Sequence, residues 1–413
     1  MMTYYDLLET RSPAEREAAL FSALPAYLEE GRRRAPALAR RLEGIESSRV
    51  ADRAALARLP VLRKPELALL QRRDRPFGGL AAISPGEGGH VFASPGPLYE
   101  VAARRPDYGG FARALFAAGF RAGDLVYNTF SYHFTPAGLM VDAGAAALGC
   151  AVFPAGVGQS ENQVAAIADL RPQGYAGTPS FLKILLEKGR ETGADLASLG
   201  KALVTGEALP GSLRAYFEEH GIRALQCYST AELGVIAYES EAMEGLIVNE
   251  GRILEIVRPG TDDPLPDGEV GEVVVTNLLS PEYPLARFST GDLSAVLPGV
   301  SPCGRTNARI RGWLGRADQS AKVRGMFVHP SLVAQVVRRH PEVRRARLVI
   351  RREKEEDQML WKCETEGLAG DALARAIADS VREVCNLRGD VELLSPGSLP
   401  NDGKVIEDTR PVP

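Results

Sequence analysis

The sequence lacks the features that mark secreted, disulfide-stabilised and membrane-spanning proteins. Only five of its 413 residues are cysteines, and no two of them are close enough in sequence to form a CxxC pair. This scarcity argues against a disulfide framework and against a metal site built from such pairs, so we expect a cytoplasmic protein. The polar, acidic N-terminus differs from a signal peptide. The most apolar run, 143–153, ends at Pro154 and is shorter than the roughly 18 residues that a membrane-spanning helix needs.

A strong charge of either sign is also missing. Lysine and arginine number 49 against 53 aspartates and glutamates, which leaves a formal net charge of −4. A nucleic-acid-binding protein depends on a strong positive field. We therefore expect small-molecule partners and neither nucleic acid nor membrane. The length is sufficient for two or three domains of about 100–200 residues each, with a large buried core.

The sequence does contain a regular alternation of segment types. Residues 1–75 are rich in Ala, Leu, Glu and Arg and place apolar residues at helical intervals, which predicts a helical N-terminal region. From His90 onward, short apolar runs closed by Gly or Pro alternate with longer Ala- and Leu-rich segments. One example is a predicted strand over 125–130 followed by a predicted helix over 137–148. The alternation predicts a layered α/β domain, in which ligands bind beyond the carboxyl ends of the strands.

Two further patterns complete the expected fold. Runs of β-branched residues between 251 and 296 are separated by turns and predict an antiparallel β portion. After Lys322 the sequence predicts a strand over 323–328, a helix over 331–339, two strands, a helix over 372–385 and a last strand. The expected fold class is therefore α/β, with a large layered N-terminal domain that includes the antiparallel β portion, and a small α+β C-terminal lid domain.

Four short runs combine charged or hydroxyl residues with small ones, in one order along the chain. They are YSTAE at 228–232, FSTGD at 288–292, GRADQSAKVRG at 315–325 and Gly-Lys at 403–404. Taken singly, each has an ordinary structural interpretation: a capped helix start, an Asx turn, a solvated charged turn and a tail lysine. Their order at domain-scale spacing argues for a shared function.

With these runs, over most of 90–413, the chain resembles the adenylate-forming acyl- and aryl-CoA ligases and is most similar to the phenylacetate-CoA ligase branch of that superfamily. The resemblance implies ATP-dependent activation of a carboxylic acid, aryl or arylacetic, to an acyl-adenylate. Transfer to the thiol of coenzyme A or of a carrier protein would follow, with ATP, Mg²⁺ and coenzyme A as cofactors. The resemblance also implies an N-terminal adenylate-forming domain over 1–317 and a C-terminal lid domain over 318–413, with Asp318 as the hinge residue.

By this resemblance, three residues of the YSTAE run face the nucleotide. The Tyr228 ring stacks on adenine, the Thr230 hydroxyl contacts the α-phosphate, and Glu232 holds Mg²⁺. Relatives usually carry glycine where this chain has Ser229.

The other implied nucleotide residues lie in separate segments. Gly206 and Glu207 match the family's short adenine-facing loop, where a missing Cβ lets the backbone approach the base. Asp292 accepts hydrogen bonds from the two ribose hydroxyls, and Arg316 places its guanidinium near ribose and phosphate. Lys404 is the adenylation lysine, whose flexible stem suits a group that enters for the first step and leaves before thioester formation.

The acid pocket is expected to include Tyr132, His133 and Phe134, also by resemblance. Their aromatic rings favour a planar substrate. Burial in a core explains the same rings equally well.

The phosphate loop departs from the family's pattern. This chain has FASPGPLYE at 92–100, in which Pro95 and Pro97 lack backbone donors and Ser94 is the only loop hydroxyl. The departure supports an alternative function, that of a non-catalytic or regulatory ligase-like protein that binds nucleotide or acyl-adenylate.

A second departure concerns zinc. Related chains with this loop often carry Cys and His where this chain has Ser240, Ile247 and Ser301. Of the candidate zinc ligands, only Cys303 then remains. One thiol cannot complete a tetrahedral site, so we expect no structural zinc.

Overall fold

The structure is a computed structural model that describes residues 4–94, 98–323, 326–353, 356–366, 370–400 and 404–410. The chain divides into two units. The first unit comprises Met1–Arg258, Asp262–Thr290 and Ala295–Trp313, and the second comprises Pro259–Thr261, Gly291–Ser294 and Leu314–Pro413.

The N-terminal region of the first unit is helical, as the apolar periodicity predicts. The longest helix begins with a capping box, in which the Ser12 side chain accepts from the Glu15 N–H and the Glu15 side chain accepts from the Ser12 N–H. Its buried residues include Leu20, Leu24 and Leu28, which share one face because they are four residues apart. The helices of this region are α1 (Pro13–Arg34), α2 (Pro36–Arg41), α3 (Arg53–Leu56) and α4 (Lys64–Arg73).

An antiparallel hairpin follows the helices. Its strands β1 (His90–Ser94) and β2 (Leu98–Ala102) pair so that Ser94 lies opposite Leu98. The proline-bearing run of the sequence therefore connects the two strands, and Pro95 and Pro97 lie outside the described residues.

The centre of the first unit is a parallel sheet with helices on both faces. Alternate strand residues point to opposite faces. Val126 and Leu203 pack with α5 and α6, whereas Tyr127 and Val204 pack with α7, α8 and α9. The elements are α5 (Phe111–Ala117), β3 (Leu125–Asn128), α6 (Ala137–Ala147), β4 (Ala151–Pro154), α7 (Ser160–Leu170), β5 (Gly174–Gly177), α8 (Pro179–Thr192), β6 (Lys201–Val204), α9 (Gly211–Glu219) and β7 (Arg223–Thr230). The parallel strands lie in the order β4-β3-β5-β6-β7, which confirms the layered α/β prediction.

Antiparallel strands complete the first unit, as predicted for 251–296. The order β13-β14-β9-β8 extends the central sheet beyond β7. A separate three-stranded sheet has the order β10-β11-β12, in which β10 and β11 are antiparallel. Of β12, the residues up to Thr290 belong to the first unit and Gly291–Ser294 to the second. The bounds are β8 (Gly234–Glu239), β9 (Leu246–Val248), β10 (Arg252–Val257), β11 (Gly271–Asn277), β12 (Phe288–Ser294), β13 (Val296–Leu297) and β14 (Arg309–Ile310).

The second unit is a small α+β fold, as predicted. Its four-stranded sheet has the order β19-β18-β17-β20, with the fully buried Trp361 in β18. The elements are β15 (Ala321–Val323), β16 (Met326–Val328), α10 (Pro330–Arg338), β17 (Val343–Glu353), β18 (Glu356–Thr365), α11 (Asp371–Cys385), β19 (Asp390–Leu394) and β20 (Ile406–Asp408).

One predicted strand of this unit is wrong. Residues 323–328 are not a single strand, because β15 and β16 pair antiparallel with Val323 opposite Met326. Arg324 and Gly325 stand between the two strands in the sequence, and a glycine between two short apolar runs is the signal of a hairpin turn that the prediction overlooked.

In the part of the chain that the structure describes, no helix combines the length and apolarity that crossing a membrane requires.

Candidate active site

Four loops of the first unit leave the carboxyl ends of parallel strands at one edge of the sheet. Tyr132 follows β3, Thr178 follows β5, Gly206 follows β6, and Thr230 ends β7. In open α/β sheets this edge is the usual ligand-binding edge. All the predicted residues of the first unit lie in loops or strand ends at this one edge. They are Tyr132, His133, Phe134, Gly206, Glu207, Tyr228, Thr230 and Glu232.

Hydrogen bonds hold the loop after β6 to its neighbours. The Glu207 carboxylate accepts from the Ser180 N–H at 3.4 Å, and the Thr205 hydroxyl donates to the Cys227 carbonyl at 2.7 Å. Gly206 has φ of 87°, a left-handed conformation that favours glycine. The exposed backbone at Gly206 is thus positioned by residues on both sides of it.

The end of β7 combines a buried ring with a turn hydroxyl. Tyr228 is only 9% exposed and belongs to a hydrophobic cluster of the first unit. The pairing of β7 with β8 shifts register between Tyr228 and Ser229. The Thr230 hydroxyl accepts from the Leu233 N–H at 3.2 Å. A hydroxyl that accepts one hydrogen bond retains its own proton for donation, so Thr230 can still donate to an anionic ligand.

Glu232 is a buried carboxylate beside a lysine. The residue is only 8% exposed, and Lys64 Nζ lies 3.1 Å from Glu232 Oε1 and 3.4 Å from Glu232 Oε2. Lys64 is the first residue of α4. Sequence reasoning did not find Lys64, because nothing in the composition of the N-terminal helices distinguishes it from solvated lysines.

Glu100 is a second buried carboxylate of this region that sequence reasoning missed. It lies in β2, is 8% exposed, and lines the same small cavity as Glu232. Burial raises the pKa of Glu100 to about 8, and the charge of Glu232 adds to this effect while that of Lys64 opposes it. The available signal was an acidic residue between the apolar residues of a short strand.

The three predicted pocket aromatics have different surroundings. The Tyr132 hydroxyl donates to the Asp142 carboxylate at 2.7 Å and accepts from the Asn128 amide at 2.8 Å. Burial, with Asp142 as acceptor, raises the pKa of Tyr132 well above its ordinary value. His133 is exposed, and Phe134 is 82% exposed with φ of 60°. Tyr132 is therefore fixed in place, whereas the other two rings face solvent.

In the second unit, Arg316 lies between two aspartates. Its Nη1 is 3.1 Å from Asp292 Oδ1, and its Nε is 3.4 Å from Asp318 Oδ1. The backbones of Asp292 and Arg316 also form an antiparallel bridge. Burial disfavours the charge of Arg316, but Asp292 and Asp318 outweigh this and raise the pKa of Arg316.

Gly291 makes the close approach of Arg316 possible. It has φ of 74°, and a Cβ added there would lie 2.7 Å from Arg316 Nη2. Any larger residue would displace the guanidinium. The structure thus brings together Asp292, Arg316 and Asp318, which sequence reasoning assigned to ribose, to phosphate and to the hinge.

Lys404 is exposed, and the backbone that follows it is tied down inside the second unit. The Val405 N–H donates to Gln319 Oε1 at 2.8 Å, and the Val405 carbonyl accepts from the Leu348 N–H at 2.9 Å. Gly403 lies outside the described residues. Gln319 is a further residue that the motif analysis missed, although it lies inside the GRADQSAKVRG run.

The positions considered for zinc carry serine hydroxyls beside a single thiol. Ser301 Oγ lies 3.1 Å from Cys303 Sγ, and Ile247 is buried in β9. Burial raises the pKa of the Cys303 thiol, but hydrogen bonds from Ser240, Ser301 and Arg305 outweigh it and lower the pKa. Across the described ranges, no three His, Cys, Asp or Glu side chains form a group able to hold a metal ion.

The site as a whole is typical of one class of protein. A parallel α/β sheet whose carboxyl edge carries a hydroxyl, a buried carboxylate and an exposed glycine turn is typical of enzymes that bind a nucleotide.

Comparison with known proteins defines the family. The model of the AMP-binding enzyme family matches residues 110–278. Phenylacetate-coenzyme A ligase of Thermus thermophilus is 33% identical over 439 residues, which cover 97% of each chain. The enzyme of the same name from Pseudomonas putida is 36% identical over 233 residues, which cover 55% of this chain and 52% of the relative.

A solved structure agrees over nearly the whole chain. The open conformation of 2-hydroxyisobutyryl-CoA ligase, in complex with 2-HIB-AMP and CoA, superposes with a TM-score of 0.87 and 25% identity. The match covers 98% of this chain and 95% of that one. The chain belongs to the adenylate-forming acyl-CoA ligase family, in its phenylacetate-CoA ligase branch, and is an AMP-forming ligase.

Proposed function

We propose that this enzyme uses ATP and Mg²⁺ to convert an aryl or arylacetic acid into an acyl-adenylate, and then transfers the acyl group to coenzyme A. The observation that carries the proposal is the placement of the Gly206–Glu207 loop and of Tyr228, Thr230 and Glu232 along one carboxyl edge of a parallel sheet. The name of the Thermus thermophilus relative supports the acid class, and the names of that relative and of the solved structure support coenzyme A as the acceptor.

In the first step, a carboxylate oxygen of the acid attacks the α-phosphorus of ATP, and pyrophosphate leaves. Tyr228 and the Gly206 backbone hold adenine, and Asp292 accepts from the ribose hydroxyls. Thr230 donates to the α-phosphate with the proton that its bond from Leu233 leaves available. Lys404 neutralises the negative charge that gathers between the carboxylate and the α-phosphate.

The residues present fit a divalent cation. Mg²⁺ prefers carboxylate oxygens together with substrate phosphates, and Glu232 is a buried carboxylate that Lys64 already balances with positive charge. When bound, Mg²⁺ supplies charge neutralisation for the phosphates.

In the second step, the sulfur of coenzyme A attacks the acyl carbonyl carbon, the thiol proton is lost, and AMP leaves. The second unit carries Lys404 and Asp318, and we propose that a rotation at Asp318 withdraws Lys404 before this step. A carrier-protein thiol is the alternative acceptor.

Tyr132 supports the preference for a planar acid. Because Asp142 and Asn128 fix its hydroxyl, the ring presents a rigid apolar face, which is the usual form of recognition in a small-molecule pocket.

The proposal is tested by ATP–pyrophosphate exchange with a panel of acids. We expect exchange with phenylacetate or a related aryl acid, and little exchange with short aliphatic acids. Absence of exchange with every acid, together with measurable binding of AMP by calorimetry, would contradict catalysis. That result would favour the second candidate function, a nucleotide-binding protein without activity. Its support is the sequence that follows Ser94, where Pro95 and Pro97 lack backbone donors.

A further inference from the structure

A small cavity with both polar and apolar side chains around it lies beside Glu232 in the first unit. Its volume is about 20 Å³, which is room for roughly one water molecule or one bare ion. Residues of the hairpin, of the turn after β7 and of the loop before β12 line it, and those with polar side chains are Glu100, Tyr108, Glu232, Ser280, Glu282 and Tyr283.

Three carboxylates of this cavity differ in how they are balanced. Glu232 has Lys64 at 3.1 Å, and Glu282 has Arg105 at 3.3 Å. Each of the three has one buried oxygen with no hydrogen-bond partner among the described residues, namely Glu100 Oε1, Glu232 Oε1 and Glu282 Oε2. Glu100 differs from the other two because it also has no ion pair among those residues. The Tyr108 hydroxyl, on the same cavity, likewise has no described hydrogen-bond partner.

A bare carboxylate oxygen in such a place requires an explanation. A buried polar atom without a partner costs about 1–3 kcal/mol, and more if it is charged. A hydrophobic residue in β2 would avoid this cost, since the neighbouring strand positions Leu98 and Val101 are buried and apolar. The oxygen is therefore best explained by a ligand that enters the cavity during function.

The chemistry of the cavity selects a cation. Two of its carboxyl groups, Glu100 and Glu232, interact electrostatically, and Lys64 interacts with both of them. The described carboxylates do not form a complete cage for a metal. Phosphate oxygens and water must therefore supply the other ligands, which is the usual way in which Mg²⁺ binds.

We propose that Glu100 is a second carboxylate ligand, beside Glu232, for the divalent cation that accompanies ATP. The inference rests on the proposed function, because it assumes that a nucleotide brings phosphates to this edge of the sheet. It assigns a role to the hairpin β1–β2: the strand that follows the proline-bearing run supplies a metal ligand where that run offers few phosphate donors. Lys64 balances the pair until the cation arrives.

The test measures Mn²⁺ binding to the full chain by electron paramagnetic resonance of free Mn²⁺, with and without α,β-methylene-ATP. Four proteins are compared: wild type, Glu100→Gln, Glu232→Gln and Glu239→Gln. Glu239 is the control, since it is also a buried carboxylate and accepts from Arg214 at 2.9 Å but does not line the cavity. Melting temperatures are measured in parallel.

With the analogue present, wild type should bind one Mn²⁺ per chain. Glu100→Gln should weaken this binding about tenfold or more, since even changes outside the ligand shell cost about 10–100-fold in metal affinity. The melting temperature of Glu100→Gln should not fall, because the substitution removes a buried carboxyl that lacks a partner. Glu239→Gln should bind Mn²⁺ as wild type does.

Three results would overturn the inference, and they differ in what else they affect. Unchanged Mn²⁺ affinity in Glu100→Gln with weakened affinity in Glu232→Gln would show that Glu100 is not a ligand and would leave the proposed function intact. Unchanged affinity in both variants would remove the metal role of Glu232 as well, whereas the activation of an acid is decided separately by pyrophosphate exchange. A fall in melting temperature without a change in Mn²⁺ affinity would make Glu100 a structural residue.

Discussion

At the scale of single residues, the acidic side chains of this enzyme are distinguished by their partners. Asp292 lies against Arg316, Glu232 against Lys64, and Glu255 against the buried Arg287 at 3.0 Å. Glu255 and Arg287 satisfy one another inside the first unit, which is typical of a structural pair. Asp292 and Glu232 lie at chain segments where a ligand is expected, so the same kind of ion pair there can hold a carboxylate ready for binding.

The nucleotide role of Asp292 leads to a prediction for one substitution. Asp292→Ala should weaken AMP binding by about 1–3 kcal/mol, because the charge-assisted hydrogen bonds to ribose are lost. Isothermal titration calorimetry measures the change. Asp371→Ala, an exposed aspartate at the start of α11, is the control and should bind AMP normally. Equal affinity of wild type and Asp292→Ala would remove Asp292 from the nucleotide site.

At the scale of elements, the backbone on both sides of Lys404 is held by the second unit. The Leu399 and Pro400 carbonyls accept from Arg345 at 3.3 and 2.9 Å, and Val405 is held by Gln319. Gln319 belongs to the short 3-10 turn Ala317–Gln319, next to Asp318. A side-chain hydrogen bond, from the Val405 N–H to Gln319 Oε1, thus joins the predicted hinge segment to the segment that carries Lys404.

This connection predicts a positioning role for Gln319. Gln319→Met keeps the length of the side chain but removes the acceptor for the Val405 N–H, so Lys404 should be less well placed. A hydrogen bond contributes about 0.5–1.5 kcal/mol, which corresponds to a loss of a few-fold to about tenfold in the rate of pyrophosphate exchange. Gln319→Glu retains an acceptor oxygen and should recover most of that rate. Equal slowing in both variants would contradict the role assigned to this hydrogen bond.

The elements also show which features the sequence could predict. The strands β3 to β7 and their helices follow from short apolar runs closed by Gly or Pro, because burial on both faces requires such runs. The hairpin reversal between Val323 and Met326 was missed, because the prediction treated Gly325 as part of one strand instead of as a turn signal. Lys64 and Glu100 were missed because their significance lies in contacts across long sequence distances, to Glu232 and to one cavity. Local patterns carry no information about such contacts.

At the scale of the whole molecule, the two units divide the candidate residues between them. The first unit holds Tyr228, Thr230 and Glu232, and the second holds Asp292, Arg316 and Lys404. The sequence could suggest these candidate residues because each lies in a motif of a few consecutive residues. The residue roles themselves stay predictions, and they are best examined by separating the two chemical steps.

The two-step scheme predicts opposite effects for two substitutions in the second unit. Lys404→Ala should reduce pyrophosphate exchange by about 10²–10³, since a preorganised charge at the reacting atoms is lost. The same variant should convert a supplied acyl-adenylate to the thioester at a near-normal rate, because Lys404 has withdrawn by then.

Asp318→Pro should keep pyrophosphate exchange near normal and slow thioester formation. Position 318 lies in the first turn of a 3-10 segment, where a missing N–H is tolerated, but the fixed φ of proline obstructs the rotation that the second step needs. Exchange and thioester formation are measured separately for both variants, with Asp371→Ala as control. Equal slowing of both steps in Lys404→Ala would contradict the scheme and make Lys404 a fixed binding group.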